Sequence, residues 1–218
     1  MLQIVRGADI YTPEPLGIRD VVLAGEKIAD IVPPGSVRFT GIPFQGLDFS
    51  GKILVPGFID THEHMMLTGS QATAVHLDDV ERLDQILERT ADKAKDTEKG
   101  VWIRGSYLNE QNIVEKRMPT RIDLDRVCPD NPVFLLHATC HICSFNSKAL
   151  EILKIPLDLE GFDKESGKPT GVVRDPGILT FVHPAMSKLI SEKEKVEFLQ
   201  EAASMALAKG ITTLHALD

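Results

Sequence analysis

Apolar and polar positions alternate in short runs over the first fifty residues, and a helical period appears only later. Leu2–Val5 predicts a strand. Asp20–Leu23 and Lys27–Val32 flank Ala24-Gly25-Glu26, a tight turn, so Ile18–Val32 predicts a β-hairpin that Pro33, Pro34 and Gly35 end. Residues 36–52 predict a further strand pair, broken at Gly41 and Pro43. Ile53–Val55 is an apolar run closed by Pro56-Gly57, and Phe58–Ile59 restart an extended segment. The small, polar stretch Thr68–Thr73 reads as a loop. Val80, Leu83, Ile86 and Leu87 form an apolar stripe at helical spacing, predicting a helix over about residues 79–96 capped by Asp78 or Asp79. Val101–Ile103 and Pro132–Ala138 predict strands, the second ending at His137. Residues 106–131 and 155–171 read as irregular. Asn146–Leu153 predicts a short helix capped by Asn146 and Ser147. Ser191-Glu192-Lys193-Glu194 fits a capping box, and Val196, Leu199, Ala203, Ala206 and Leu207 follow it on one face. Gly210 sits where a helix C-cap belongs, and Ile211–Leu217 predicts a strand. In α/β barrels and open α/β sheets catalytic groups gather where strands end and loops begin, so the strand ends are the places to look for chemistry.

The chemistry sits at one strand end. If the segment from Phe58 onward is extended, Asp60, His62 and His64 share a face and Thr61 and Glu63 take the other. Two imidazoles two residues apart on a strand can hold one metal ion, and a carboxylate beside them can orient them. The H-E-x-x-H zinc motif does not apply, because it needs four-residue spacing on a helix. Two histidines are fewer than the three protein ligands usual at a catalytic zinc, so the pair is a half-site. His215 lies on a strand as well. Cys140-His141-Ile142-Cys143 is a single pair, where a structural zinc site needs four ligands, so these cysteines read as inert thiols.

Composition narrows the partners. The 218 residues are 43% apolar and 26% charged, as in an ordinary globular protein. A net charge of −8, from 24 basic and 32 acidic residues, argues against nucleic acid or an anionic membrane as the main partner. Three cysteines make no disulfide framework and favour a reducing, cytoplasmic setting. No signal peptide and no bilayer-spanning apolar run are expected.

Val-Pro-Gly-Phe-Ile-Asp-Thr-His-Glu-His (55–64) resembles the first-strand signature of the amidohydrolase superfamily of metal-dependent hydrolases. Further blocks resemble its amidohydrolase-3, or YtcJ-like, branch: Val101–Ser106, Met118–Val133, His141–Leu150, Lys168–Asp175 and Gly210–His215. The resemblance implies a (β/α)8 TIM barrel of the metal-dependent hydrolase type, beside a small β-sandwich, with a large α+β insertion after the first barrel strand. On that map residues 1–55 are N-terminal strands of the sandwich and 56–67 carry the first barrel strand. Residues 68–185 are the insertion, and 186–218 a barrel helix and strand. A whole barrel typically needs about 250 residues. The chain therefore reads as the N-terminal part of a longer enzyme, with its catalytic residues and remaining ligands expected beyond Asp218.

What the resemblance implies about function is hydrolysis of a non-peptide C–N bond (amide, N-acyl or cyclic amide) in a small molecule by metal-activated water. The implied cofactor is a divalent metal, zinc first, with one or two ions in the complete enzyme, and His62 and His64 as ligands. His141 and Asp175 stand in its blocks as candidate substrate or outer-sphere residues, as does Asp60 beside the pair. Two departures bear on this: Cys140 stands where relatives commonly have glycine, and Asp175 where glutamate is expected. The competing readings are an isoaspartyl-dipeptidase-like or dihydroorotase-like hydrolase, or a catalytically incomplete module that self-associates as a homo-oligomer through unfinished strand edges.

Overall fold

The computed structural model describes residues 1–217; Asp218, where the 186–218 segment ends, lies outside the described residues. Packing divides the chain into two units, one of residues 1–60 with 210–214, the other of residues 61–209 with the segment from His215 onward.

The first unit is built on β1 (Leu2–Tyr11). β2 (Pro15–Ala24) and β3 (Lys27–Val32) extend it as an antiparallel meander. The hairpin turn falls at Gly25-Glu26, within the Ala24-Gly25-Glu26 stretch read as a tight turn. β1 runs on past Val5 through an irregularity before Ala8. Buried Asp20 stabilises that irregularity: its two oxygens accept from the backbone N–H of Gly7 and of Gly35, each at 2.9 Å. The strand pair expected over 36–52 is a single strand, β4 (Phe44–Asp48), which lies parallel to the first half of β1. β5 (Ile53–Leu54) takes Asp9 and Ile10 on the same strand, again in parallel. Local sequence does not reveal this, because the partner of both is forty residues away. Val5, Ala8, Ile10 and Val21 form the core.

β6 (Phe58–Glu63) leads directly into α1 (Met65–Ala72). The helix replaces the loop expected over Thr68–Thr73. There follow β7 (Val75–His76), α2 (Leu83–Lys95), β8 (Ile103–Leu108), α3 (Arg121–Val127), β9 (Val133–His137), β10 (Ile142–Phe145), α4 (Ser147–Leu153), β11 (Phe162–Glu165) and β12 (Lys168–Arg174). A π-helical turn over Ile178–Val182 then leads into α5 (His183–Ser187), α6 (Glu192–Ala208) and β13 (Ile211–Ala216).

Six of these strands form one sheet in the order β11-β12-β10-β9-β8-β7. β7, β8 and β9 run parallel, and the other neighbours are antiparallel. The apolar run of β9 explains how the sheet is covered. Val133 and Leu135 belong to one core cluster with Ile86, Leu87 and Leu124; Phe134 and Leu136 belong to another with Phe145, Leu153 and Ile178. Successive strand residues point to opposite faces, so each face has its own core. The predicted stripe of Val80, Leu83, Ile86 and Leu87 is buried. Its helix starts at Leu83 rather than 79 and is capped by neither Asp78 nor Asp79: Gln85 Oε1 accepts from the Arg82 N–H at 3.1 Å and Glu115 accepts from the Leu83 N–H at 2.9 Å. β11 and β12, read as loop from sequence, turn at Ser166-Gly167, both with positive φ (50° and 76°), a shape glycine supplies readily.

α3 was hidden in a stretch that reads as irregular. Thr120 and Asp123 close a capping box at its start. Burial would raise the Asp123 carboxyl, but Arg117 at 2.7 Å and the hydroxyl and N–H of Thr120 outweigh it and hold its pKa to about 2.

α6 forms with the Ser191/Glu194 capping box the sequence predicts, and Gly210 follows its C-cap Lys209. Its buried face is not the predicted one. Phe198 and Ala202 are buried, whereas Val196, Leu199 and Leu207 are exposed. The buried face lies against α1. A Cβ on Gly69 would sit 1.9 Å from the carbonyl oxygen of Phe198, so the two backbones touch at that point. The small residues that suggest a loop are what let this helix crossing form.

Gly69→Ala is expected to lower stability by about 3 kcal/mol, the upper range for overpacking, because the obstacle is backbone; urea unfolding midpoints measure it. Asp123→Asn is expected to be less stable than the parent above the unfolded carboxyl pKa of about 4. A depressed folded pKa stabilises where the group is ionised, so the gap should close as pH falls toward about 2. Unfolding midpoints followed across pH at fixed salt test this.

Candidate metal centre

β6 ends at Glu63, and His64 is the residue before α1, with φ −108° and ψ 77°. The chain is still open enough there for the two imidazoles to meet. The His62 and His64 ring centroids lie 5.4 Å apart with the planes at 73°. Both residues are exposed. Glu63, between them, is held by Thr68 of α1, whose hydroxyl donates to Oε1 at 2.6 Å. That bond keeps the intervening carboxylate on the helix. Asp60 is half-buried two residues upstream on the same strand.

Two imidazoles sharing a zinc ion, each with Zn–N of about 2.0–2.1 Å, have centroids roughly 5 Å apart at a tetrahedral angle. The observed separation fits that arrangement. Among the described residues no cluster of three or more His, Cys, Asp and Glu side chains is arranged to hold an ion. The pair therefore offers two candidate ligands. His215 lies across from His62 by strand register. Phe58 N–H bonds Gly210 O, and Leu217 N–H bonds Glu63 O, each at 2.8 Å. These bonds make β6 and β13 parallel, with His62 beside His215.

The other candidates lie on the six-stranded sheet. Ile142 of β10 faces Arg174 of β12, so the next cross-strand pair is His141 and Asp175. Their side chains join: His141 Nδ1 lies 2.5 Å from Asp175 Oδ2. Arg174 turns instead to Asp163, Nε to Oδ2 at 2.9 Å. His183 is near this pair. Partial burial pushes its imidazole below the ordinary range, against the attraction of Asp175 and with the help of His141. Nothing in the local sequence joins residues 141, 175 and 183; only the strand register does.

Sequence reasoning also missed a buried pair. His137, at the end of β9, places Nε2 2.9 Å from Glu110 Oε2, with both side chains largely buried. Thr139 N–H donates to His137 Nδ1 at 3.0 Å, so a proton on the neutral ring sits on Nε2, toward the carboxylate. A strand ending in histidine was the available signal.

Asn146 has a structural role. It is wholly buried, and its side chain makes four bonds. Oδ1 accepts from Ala149 N and Val133 N, and Nδ2 donates to Cys128 O and Asn131 O. Ser147 donates to Asp125 at 2.6 Å. Cys128 and Cys143 are buried free thiols, and burial pushes both thiol pKa values up. Trp102 packs at the edge of a core cluster.

The sequence profile described as "Amidohydrolase family" matches residues 45–218, and the chain belongs to that family. It is 34% identical to N-substituted formamide deformylase of Arthrobacter pascens over 88% of this chain and 38% of that protein. It is 28% identical to the putative amidohydrolase YtcJ of Bacillus subtilis (strain 168) over 79% of this chain and 33% of that protein. The chain thus spans well under half the length of these curated relatives. A solved structure of an uncharacterized metal-dependent hydrolase from Pyrococcus furiosus covers 98% of the chain with a TM-score of 0.75 at 22% identity, matching 44% of that protein. A likeness at that identity speaks for the fold.

Asn146→Ala is expected to unfold this unit readily. It leaves two buried N–H groups and two carbonyls without their partner, and each such group costs about 1–3 kcal/mol. A destabilisation of at least about 3 kcal/mol should appear in chemical denaturation, while Ser147→Ala, at a half-buried position, should lose less.

Proposed function

We propose that this chain forms the N-terminal part of a metal-dependent amidohydrolase that cleaves a non-peptide C–N bond in a small amide or N-acyl substrate. The observation that carries the reading is the His62–His64 pair at the end of β6, in a chain of the amidohydrolase family. The name of the Arthrobacter relative supports N-acyl amines, N-substituted formamides among them, as the substrate class.

In this reading β6 and β13 are neighbouring strands of a (β/α)8 barrel, with α6 as the helix between them. The meander of β1–β5 belongs to an accessory β-sandwich, and the six-stranded sheet is the insertion. Parallel pairing of β6 with β13 supports the barrel assignment.

His62 and His64 would hold a divalent ion, with zinc the first candidate because imidazole ligands suit it. Such an ion supplies Lewis acidity toward an acyl oxygen and toward water. The chain's own groups position it. β6 sets the spacing of the two rings, and Thr68 holds Glu63 away from them. Both rings are exposed, which leaves room for further ligands and for substrate.

The natural protein carrying this chain is expected to contain about one or two divalent ions and to hydrolyse N-substituted formamides or related small amides. His62→Ala with His64→Ala should abolish metal retention. It should also cut kcat/KM by more than the roughly 10–100-fold that outer-sphere substitutions cost at metal sites. Metal analysis and amine-release assays test this; full metal content and turnover in the double variant would refute the reading.

A further inference from the structure

A third imidazole shares the sheet face of the His62–His64 pair. The Phe58 N–H bonds the Gly210 carbonyl and the Leu217 N–H bonds the Glu63 carbonyl, so the β6–β13 register is pinned on both sides of His215. Bonds in a parallel ladder are slanted and reach the residue next to the one directly opposite. Residue 58 therefore faces 211 and residue 63 faces 216, and the two bonds agree on one register. His62 then faces His215, with Asp60 opposite Thr213 and His64 opposite Leu217 on the same side.

This register sets distance as well as direction. Neighbouring parallel strands lie about 4.8 Å apart, whereas two residues along one strand span about 6.6 Å. The backbone thus starts the His215 side chain closer to His62 than His64 starts, and the His62 and His64 rings already meet at 5.4 Å. Leu217 has no polar side-chain atom, and Thr213 lies one position further back, beside Asp60. His215 is the polar group of β13 nearest the pair. Its side chain is exposed, and among the described residues the ring takes no hydrogen bond or ion pair from the protein. The rings of His76, His137 and His141 are each engaged at a nitrogen. Among the described residues His215 does not complete an ion-holding cluster with the pair, so it flanks the pair with its nitrogens open to a bound molecule.

We propose that His215 donates a hydrogen bond to the acyl oxygen of a substrate bound at the His62–His64 pair; this rests on the amidohydrolase reading above. The acyl oxygen is one bond from the carbon under attack, so its donor must come from a residue that borders the pair, as His215 does. Imidazole carries an N–H in both its neutral and its charged form, so the role does not depend on which is present. As the oxygen of water bonds the acyl carbon, the C=O π pair moves onto the acyl oxygen. A donor held there by the strand binds that developing charge more strongly than it binds the ground-state carbonyl. The pair returns to re-form C=O when the C–N bond breaks, and the amine departs with the bond electrons and a proton from that water.

The test uses the natural protein carrying this chain, loaded with zinc, and two substrates that differ in one atom. One is an N-alkylformamide and the other its thioformamide, whose sulfur is a weak acceptor. His215→Ala is expected to lower kcat/KM about 100-fold on the formamide, in the range for loss of one oxyanion donor, and less than about threefold on the thioformamide. His215→Gln, which restores an N–H, should recover part of the loss. Zinc affinity, measured by chelator competition, should match the parent in both variants, without even the roughly 10-fold loss of an outer-sphere substitution. The ratio between the two substrates does not depend on how much of a variant is folded. Equal losses on both substrates, no loss on either, or zinc lost from His215→Ala would overturn the donor role and leave the amidohydrolase reading standing. A parent protein inactive on every amide, or unaffected by loss of His62 and His64, would overturn both.

Discussion

The parallel pairing of β6 with β13 is the constraint on which the rest of the second unit depends. Parallel neighbours cannot be joined by a tight turn, so the chain must leave the end of one strand and return to the start of the other. Here that return runs from His64 to Gly210 and holds the whole six-stranded sheet. α1 carries the chain away from the His62–His64 pair, and α6 brings it back. The contact between them at Gly69 and Phe198 is close enough to involve backbone, so both ends of the long excursion are held together. The His62–His64 pair on β6 is thereby mounted on a strand whose neighbour and following helix are both fixed.

The six-stranded sheet is more than a spacer. Its two faces are covered separately, which the unbroken apolar sequence of β9 makes possible. Polar groups fix its connections: buried Asn146 joins three segments through four hydrogen bonds, and partly buried Asp123 locks the start of α3. The exposed pairing of His141 and Asp175 is instead set by the register of β10 and β12.

Much was legible in the sequence where the signal is local. The hairpin of β2 and β3, the stripe of α2, the cap of α4 at Asn146 and the capping box of α6 all follow from spacing within a few residues. The family followed from ordered blocks along the chain and matches the profile over residues 45–218. The alternation that puts His62 and His64 on one side of a strand was also local, and their rings do meet.

What only the tertiary structure decided depends on partners far apart in the chain. Thr68–Thr73 reads as a loop because its residues are small, yet that smallness permits a helix crossing with α6. The same crossing selects Phe198 and Ala202 as the buried face of α6, where amphipathic spacing alone favours Val196 and Leu199. β4 and β5 find their places on β1 rather than on each other, since parallel partners leave no turn signal. Residues 141 and 175 were candidates separately from resemblance, but their joining at 2.5 Å is a consequence of the β10–β12 register. Local sequence determines which elements can form and which side chains carry chemistry. Which of those side chains meet is decided by long-range packing and strand register, because neither has a short-range period to read.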